Sequence, residues 1–255
     1  MPAALPRPAR IEWYFDFISP YSYLQFHVLK RKGLFQAGTG CEVILKPIVF
    51  GGLLDHWKQR GPAEIPPKRV WTYRLCQWLA YEHQIPLTMP STHPFNSLPL
   101  LRLCVFLGPT PETVERLFQF VWRDGYTPTE PQHQARWADL LCEMQVASPE
   151  LIHQDSVKIR LRQNFDDAVG LQLFGVPSAV VHHHPGRNTN IDDKSDNKSE
   201  GSAVVPPKVF FGFDATTMML AYLAGDSFFV GPESPDDSER LDRLPQAHRK
   251  GVAKL

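Results

Sequence analysis

The sequence predicts an α/β fold in which one small sheet is built from both ends of the chain, around a long helical insertion. Strand-like segments flank a helix near the N-terminus, and strand-like segments return near the C-terminus. Helical periodicity continues for more than a hundred residues between them. Neither end has enough strands for a closed core of its own. A single sheet shared by the two ends is therefore the most economical arrangement.

The N-terminal part predicts a parallel β-α-β unit. Residues 11–17 (IEWYFDF) are rich in aromatic side chains and end at Ser-Pro, which is typical of a strand followed by a turn. Pro20 fits the first position of a helix, and apolar residues follow at helical spacing until Gly33. Residues 41–46 (CEVILK) are a second strand candidate. The short connections favour parallel pairing of the two strands across the helix.

Residues 51–170 are predicted to form an inserted helical domain. Four groups of apolar residues recur at helical spacing there, and we expect each group to face a core. The groups are Trp71, Leu75, Trp78 and Leu79; Val114, Leu117, Phe118, Val121 and Trp122; Trp137, Leu140, Leu141 and Met144; and Val157, Leu161, Phe165 and Ala168. Ser148-Pro149-Glu150 predicts the start of the last helix by its cap and proline placement.

Residues 171–230 are predicted to complete the sheet domain that residues 11–50 begin. Residues 178–181 and 209–211 are strand candidates. Asp214 is placed to cap a final helix that ends near Gly225.

Two further segments are predicted to lack regular structure. Residues 182–207 are mostly polar, and such a composition cannot bury enough apolar surface to offset the entropy of ordering it. We therefore expect a flexible polar loop there. Residues 231–255 are polar and contain prolines, which predicts a loosely ordered tail.

Composition limits the classes of partner. The 255 residues carry 27 Lys plus Arg and 27 Asp plus Glu, so no global field attracts nucleic acid or anionic lipid. No apolar run is long enough to span a membrane, and the N-terminus lacks the apolar segment of a secretory signal. The four cysteines form neither a C-x-x-C pair nor a metal-ligand pattern. They predict buried free thiols, no metal site and a cytoplasmic protein.

The clearest candidate site is the turn at Ser19-Pro20-Tyr21-Ser22, where the first strand gives way to the first helix. Unpaired N–H groups and the helix dipole stabilise an anion at such a turn, and redox proteins of this shape place a cysteine thiolate there. A serine cannot cycle through a disulfide, but its hydroxyl can donate a hydrogen bond to a thiolate of another molecule. The alternative is that Ser19 only caps the helix, which is the commonest use of serine before proline.

The second candidate site is Val176-Pro177, directly before a strand candidate. Proline is permitted at the start of a strand, and X-Pro is the bond at which the cis form costs little. With a cis bond, the N–H and C=O of Val176 would turn outward and pair with a peptide ligand as an added strand does. The alternative is an ordinary turn with a trans proline, which is the commoner isomer.

Five motifs carry a resemblance to a known family across nearly the whole span from residue 11 to about residue 226. They are FDFISPYSYL at 15–24, GPAEIPPKRVWTYR at 61–74, HPFNSLPLLRL at 93–103, FGVPS at 174–178 and FFGFDATTM at 210–218. In this order they resemble the 2-hydroxychromene-2-carboxylate isomerases and kappa-class glutathione transferases, which are grouped with the DsbA-like thioredoxin folds. The resemblance implies a thioredoxin-like fold with a large all-helical insertion, and glutathione as the cofactor.

The resemblance also implies roles for individual residues. Ser19 would be the catalytic residue, whose hydroxyl hydrogen-bonds the glutathione sulfur. Val176, before an expected cis Pro177, would pair its backbone with the cysteinyl part of glutathione. The γ-glutamyl end would be held by Phe211, Gly212, Phe213 and Asp214. The start of the following helix suits the γ-glutamyl carboxylate, and the Asp214 carboxylate suits its ammonium.

On the substrate side the chain departs from the family pattern. Leu54 stands near the place of a family lysine, Ala63-Glu64 replaces an asparagine, and His93 falls close to an expected tyrosine. We expect the substrate-binding residues to be Glu64, His93 and Asn96. Of these, His93 and Asn96 belong to the loop that we expect to face the substrate.

Three functions remain open at this point. The first is a glutathione-dependent isomerase of aromatic catabolism, acting on a small aromatic or hydroxychromene-type acid by cis-trans isomerisation and ring opening. The second is a kappa-like transferase that conjugates glutathione to electrophiles. The third is a DsbA-like protein that binds a thiol or a peptide without chemistry. No nucleic-acid or membrane partner is expected, and a homodimer stays open.

Overall fold

The computed structural model of the chain describes residues 9–183 and 207–229. Among these residues there are one four-stranded sheet, eight α-helices and three short 3-10 helices. The strands and α-helices are β1 (Ala9–Phe15), α1 (Pro20–Arg31), β2 (Cys41–Pro47), α2 (Phe50–His56), α3 (Pro66–Glu82), α4 (Leu98–Leu107), α5 (Pro111–Trp122), α6 (Gln134–Glu143), α7 (Asp155–Gly170), β3 (Ser178–His183), β4 (Lys208–Phe211) and α8 (Ala215–Leu223). The 3-10 helices are Pro62–Glu64, Pro131–His133 and Pro149–His153.

The sheet joins strands from the two ends of the chain in the order β2-β1-β3-β4. β1 is parallel to β2 and antiparallel to β3, and β3 is antiparallel to β4. Tyr14 of β1 lies opposite Ser178 of β3, which in turn lies opposite Phe211 of β4. The end of β1, the start of β3 and the end of β4 therefore share one edge of the sheet. The prediction of a shared sheet and of an α/β fold with a helical insertion is confirmed.

An aromatic cluster connects the sheet to the helical insertion. Trp13 and Phe15 of β1 are fully buried and stacked, with ring centroids 4.6 Å apart. Phe118 of α5 packs against both rings and also lies 4.8 Å from the ring of Phe17. Aromatic pairs of this kind contribute about 0.5–1.5 kcal/mol beyond the burial of their area. The insertion is thus packed on the sheet through the central strand.

Three of the four predicted core faces of the insertion are buried, apart from single side chains at their margins. On α5 all five predicted residues are buried. On α6 only Met144, at the C-terminal cap, is partly exposed. On α7 only Phe165 is partly exposed.

The prediction for α3 is wrong. Trp71 and Trp78 are 60% and 56% exposed, whereas the buried residues of this helix are Cys76 and Ala80. Large apolar side chains lie on several sides of α3, so their spacing could not show which side faces the core. The buried side carries two small residues, which a search for large apolar residues overlooks.

Smaller differences concern the ends of elements. β3 continues to His183, which pairs with Ala9, so the first two residues of the predicted loop belong to the strand. The rest of that loop up to residue 206, and the tail at 231–255, lie outside the described residues. The predicted start at Ser148-Pro149 is a 3-10 helix, and α7 begins only at Asp155. All four cysteines are free, but Cys142 is exposed rather than buried as predicted.

No helix of the described residues is long and apolar enough to cross a membrane.

Gln25, a fully enclosed polar residue of α1, ties together segments from both ends of the chain. Its Oε1 accepts a hydrogen bond of 2.7 Å from the indole of Trp13. Its Nε2 donates to the carbonyl of Gly212 at 2.9 Å and to the hydroxyl of Thr216 at 3.0 Å. One buried amide thus fixes α1 to β1 and to the connection between β4 and α8.

We expect Gln25→Leu to lower the free energy of unfolding by about 2–4 kcal/mol, since it leaves the Trp13 N–H and the Gly212 carbonyl buried without partners. Chemical denaturation measures the change. Gln163→Leu, on the exposed side of α7, is the control and should stay within about 0.5 kcal/mol of the parent protein. Equal losses in the two variants would contradict the role assigned to Gln25.

Candidate active site

Ser19 occupies the N-cap position of α1 and is 7% exposed. Its Oγ accepts a hydrogen bond of 3.2 Å from the N–H of Ser22, so the capping role is real. The hydroxyl hydrogen of Ser19 is donated to none of the described residues. The first turn of α1 contains no acidic side chain to offset the positive end of the helix dipole. The turn therefore keeps one O–H donor at the positive end of the helix dipole.

Asp16 is a buried carboxylate directly before this turn. Its Oδ1 accepts a hydrogen bond of 3.1 Å from the N–H of Ile18, and its Oδ2 accepts one of 2.9 Å from the N–H of Phe50. Burial raises the pKa of Asp16 to about 6, although these N–H groups and the nearby Ser97 side chain oppose the rise. The sequence analysis missed this residue. The sequence feature that could have identified it is a single charged residue between two phenylalanines at the end of a strand.

His93 contacts the same turn from the loop between α3 and α4. Its Nε2 lies 2.8 Å from the carbonyl oxygen of Ile18, and its Nδ1 lies 2.7 Å from the hydroxyl of Tyr73. Burial lowers the pKa of His93, which keeps the imidazole neutral at pH 7. The sequence analysis did not single out Tyr73, since only the fold brings a residue of α3 to the loop. The His93-Pro94 bond is cis, which was likewise not anticipated.

The segment before β3 has the geometry that the sequence suggested. The Val176-Pro177 bond is cis, and the side chain of Val176 is buried, with 6% of its surface exposed. Within residues 9–183 and 207–229, no hydrogen bond reaches the N–H or the C=O of Val176. The Pro177 carbonyl, by contrast, accepts a hydrogen bond of 2.8 Å from the N–H of Gly212. The backbone of Val176 is thus left with an unused donor and acceptor at the edge of the sheet where α1 begins.

The connection between β4 and α8 is shaped by Gly212. This residue has a φ of 89°, and a Cβ built on it would lie 2.5 Å from a carboxylate oxygen of Asp214. The Phe211 ring packs on Phe174, with centroids 4.5 Å apart, and Phe213 is partly buried. Asp214 is exposed and stands at the N-cap of α8, but its side chain makes no capping hydrogen bond. The expectation that Asp214 caps the helix through its side chain is therefore wrong.

These segments are joined by a chain of hydrogen bonds. Gln25 of α1 donates to the carbonyl of Gly212, and the N–H of Gly212 donates to the carbonyl of Pro177. The helix that begins at Ser19, the Val176 segment and the segment ending at Asp214 are held together in this way. Most residues predicted to bind glutathione are thus brought to one edge of the sheet.

The two other residues predicted to bind the substrate make local hydrogen bonds. Asn96 accepts one from the N–H of Leu98 at 3.1 Å, which leaves its amide N–H groups unused among the described residues. Glu64 accepts one from the N–H of Gly61 at 3.3 Å. Asn96 shares the loop of His93, whereas no hydrogen bond or ion pair between described residues joins Glu64 to Ser19 or His93. Across the part of the chain that the structure describes, no cluster of potential metal ligands is present.

A sheet built from a β-α-β unit and a β-β-α unit, with helices inserted between them and a cis proline before the third strand, defines a thioredoxin fold. The chain belongs to the DSBA-like thioredoxin domain family, whose match covers residues 10–201.

Individual relatives agree with the family. Human glutathione S-transferase kappa 1 is 26% identical over an alignment of 249 residues, which covers 92% of this chain and 99% of the human protein. The 2-hydroxychromene-2-carboxylate isomerase of Sphingobium xenophagum is 31% identical over an alignment of 151 residues, which covers 54% of this chain and 74% of that enzyme. A solved 2-hydroxychromene-2-carboxylate isomerase superposes with a TM-score of 0.62 at 18% identity, covering 85% of this chain and 95% of the other, which supports the fold alone. The resemblance found in the sequence is confirmed.

Asp16 gives the stability of the protein a definite pH dependence. Because burial raises its pKa to about 6, the folded protein binds this proton more tightly than the unfolded chain does between about pH 4 and 6. The contribution of Asp16 to the free energy of unfolding therefore falls as the pH rises through this range, by on the order of 3 kcal/mol.

The measurement is chemical denaturation from pH 4 to pH 8, with wild type compared with Asp16→Asn. The difference between the two proteins should fall up to about pH 6 and stay constant above pH 7. Taking the difference removes the contribution of His27, whose pKa burial lowers to about 4 and which acts in the opposite direction. A difference that is independent of pH would show that Asp16 does not titrate as proposed. Asp139→Asn, an exposed carboxylate on α6, is the matched control.

Proposed function

We propose that the chain is a glutathione-dependent isomerase of the 2-hydroxychromene-2-carboxylate type. The observation that supports it most is the hydroxyl of Ser19. It is an O–H donor without an acceptor among the described residues, at the start of a helix whose first turn carries no acidic side chain. A thiolate is the acceptor that suits this position, because the helix dipole and the O–H both stabilise a negative charge.

Glutathione fits the remaining groups at this edge of the sheet. The unused N–H and C=O of Val176 can pair with its cysteinyl residue. The Asp214 carboxylate, free of any capping bond, can accept a hydrogen bond from the γ-glutamyl ammonium. Phe211, Gly212 and Phe213 would complete this end of the site, and Pro177 would hold Gly212 in place through its carbonyl.

Bound glutathione would be held by Ser19, Val176 and Asp214, and it would supply a thiolate nucleophile for reversible addition to a conjugated double bond, the chemistry that permits ring opening and cis-trans isomerisation. The chain's own contribution is to keep that sulfur ionised. A charge-assisted hydrogen bond from Ser19 contributes about 1.5–3 kcal/mol in a partly desolvated site. Since position 19 carries no thiol, the chain forms no mixed disulfide there and leaves the sulfur available for addition.

The proposed substrate is a small aromatic acid of the hydroxychromene type, and the proposed setting is aromatic catabolism in the cytoplasm. In this proposal, residues 11–50 and 171–230 form the glutathione side, and the inserted residues 51–170 form the substrate side. Asn96 is the best placed of the proposed substrate contacts, because its amide donors are unused among the described residues. Glu64 is the second. His93, the third residue that the sequence predicted to bind the substrate, has both ring nitrogens hydrogen-bonded inside the protein.

A kappa-type transferase is the second candidate. It is favoured by the match to the human kappa transferase, which spans 99% of that protein at 26% identity. The same thiolate would then attack an electrophile and remain in the product. The two candidates share the glutathione side of the site and differ in whether glutathione is consumed.

The proposal predicts that glutathione speeds the equilibration of a 2-hydroxychromene-2-carboxylate with its ring-opened isomer and is not consumed. Ser19→Ala should lower the rate about ten- to a hundredfold, because the thiolate loses a charge-assisted hydrogen bond. It should also raise the pKa of the bound thiol, which thiolate absorbance measures. S-methylglutathione keeps the peptide but forms no thiolate, so it should bind and inhibit.

The other outcomes separate the alternatives. Consumption of glutathione as a conjugate would favour the transferase. If neither reaction exceeds the Ser19→Ala background across a panel of such acids and electrophiles, a protein that binds a thiol or peptide without chemistry becomes the better interpretation. A rate and thiol pKa unchanged in Ser19→Ala would remove Ser19 from its proposed role.

We further expect Asp214→Asn to weaken glutathione binding about two- to fivefold in calorimetry. The effect is modest because water screens an exposed carboxylate. An analogue of glutathione without the amino group should bind wild type and Asp214→Asn equally, since the interaction is then missing in both. Asp139→Asn is the control and should not change binding. A loss of the same size with the analogue would mean that Asp214 does not contact the ammonium.

A further inference from the structure

The peptide group between Ile18 and Ser19 is held at both of its polar atoms. The N–H of Ser19 donates to the carbonyl of Asp16 at 3.0 Å, and the carbonyl of Ile18 accepts from His93 at 2.8 Å. The neighbouring carbonyl of Phe17 accepts from the Trp122 indole at 2.8 Å. The orientation of this peptide, together with the φ of −91° that Ser19 adopts at the start of α1, decides where the side chain of Ser19 can point.

The bond from His93 determines how the imidazole is protonated. A carbonyl oxygen can only accept, so Nε2 carries the hydrogen. In the neutral ring Nδ1 is then an acceptor. The single hydrogen of the Tyr73 hydroxyl has two acceptors in reach, Nδ1 at 2.7 Å and the His93 carbonyl oxygen at 3.2 Å, and we assign it to the shorter contact with Nδ1. Tyr73, His93 and Ile18 therefore form a directed series of two hydrogen bonds that ends one residue before Ser19.

Packing holds this series in place. The His93 ring lies against the rings of Tyr73 and Trp122, with centroids 5.4 and 5.5 Å away, and also against Phe95. Both ring nitrogens are already bonded inside the protein. A substrate could contact a nitrogen of His93 only by breaking one of these bonds, which fits a supporting residue better than a direct contact.

A second contact runs from α3 to the same turn. Tyr21, two residues after Ser19, lies beside Thr72 and Cys76 of α3. Helix α3 is thus connected to residues on both sides of Ser19, through His93 on one side and through Tyr21 on the other. The inserted helices therefore contribute to the geometry of the turn at Ser19.

We propose that Tyr73 and His93 are positioning residues, which fix the Ile18–Ser19 peptide and thereby aim the hydroxyl of Ser19 at the bound thiol. The inference rests on the proposed function only in naming that thiol as glutathione. The geometry itself concerns how well the start of α1 stabilises any sulfur anion beside Ser19.

The test uses Ser19→Cys, which places a thiol at the start of α1 and needs no ligand. The pKa of this thiol follows from the pH dependence of its alkylation, read at position 19 by mass spectrometry because Cys142 is also exposed. We expect His93→Ala in this background to raise the thiol pKa by about one unit, which is a tenfold loss of thiolate stabilisation. Tyr73→Phe keeps the packing and should give a smaller rise.

His93→Gln should restore the parent pKa, because its amide can donate to Ile18 and accept from Tyr73. Tyr81→Phe, on the exposed side of α3, is the matched control and should have no effect. If His93→Ala lowers the melting temperature but leaves the thiol pKa unchanged, the pair is only structural and the inference is wrong. Should His93→Ala fail to fold, Tyr73→Phe decides on the same criterion.

Calorimetry separates this inference from the proposed function. Wild type that does not bind glutathione would overturn the proposed function, while the alkylation series would still decide the role of Tyr73 and His93. If glutathione binds, His93→Ala with Ser19 intact should raise the pKa of the bound thiol by a similar amount. At a pH below that pKa, where the thiol binds in its protonated form, it should change the dissociation constant less than twofold. A large loss of affinity with no change in thiol pKa would contradict the positioning role.

Discussion

The sheet, the aromatic core and the candidate site all depend on the pairing of β1. This strand has a strand from the N-terminal part of the chain on one side and a strand from the C-terminal part on the other. Its side chains Trp13 and Phe15 are buried because both neighbouring strands are present and Phe118 of α5 packs on the two rings. The same pairing brings the ends of β1 and β4 and the start of β3 to one edge. The proposed site, which requires Ser19, Val176 and Asp214 together, depends on this sharing of the central strand.

The turn at Ser19 shows how a serine can keep the electrostatics of a thiol site without the redox chemistry. As a cap, its Oγ accepts one N–H, a contribution of about 1 kcal/mol to the helix. As a donor to an anion, the same group contributes about 1.5–3 kcal/mol. The two roles use different parts of the hydroxyl and do not compete. The donated hydrogen bond contributes this stabilisation only when an anion is bound. It would therefore favour the binding of a thiolate over that of a neutral thiol.

Part of the candidate site could be predicted from short sequence patterns. The residues whose partners lie far away along the chain could not be predicted in this way. Ser19 and Val176-Pro177 stand out because serine before a helix and proline before a strand have direct backbone consequences. Gln25 and Tyr73 do not, since each acts through partners that only the folded chain brings near. Gln25 lies 187 residues from Gly212, whose carbonyl it holds.

The error on α3 has the same origin. Periodicity shows that a helix has an apolar side, but it cannot show whether another element covers that side. On α5 the stripe faces the aromatic residues of β1 and is buried. On α3 the sides occupied by Trp71 and Trp78 are exposed, while small residues are packed inward. Helix existence followed from the sequence, whereas the choice of buried side depended on the tertiary arrangement.

The shared central strand also has a consequence for how the chain is made. During synthesis, β1 can pair with β2 soon after both emerge, but the partner for its other edge follows only after the whole helical insertion. Until then one edge of β1 has unpaired N–H and C=O groups, and such an edge invites pairing with other chains. Contacts between residues so distant in sequence also slow folding. The newly made chain therefore passes through a stage in which its central strand is open to aggregation, and β3 ends that stage.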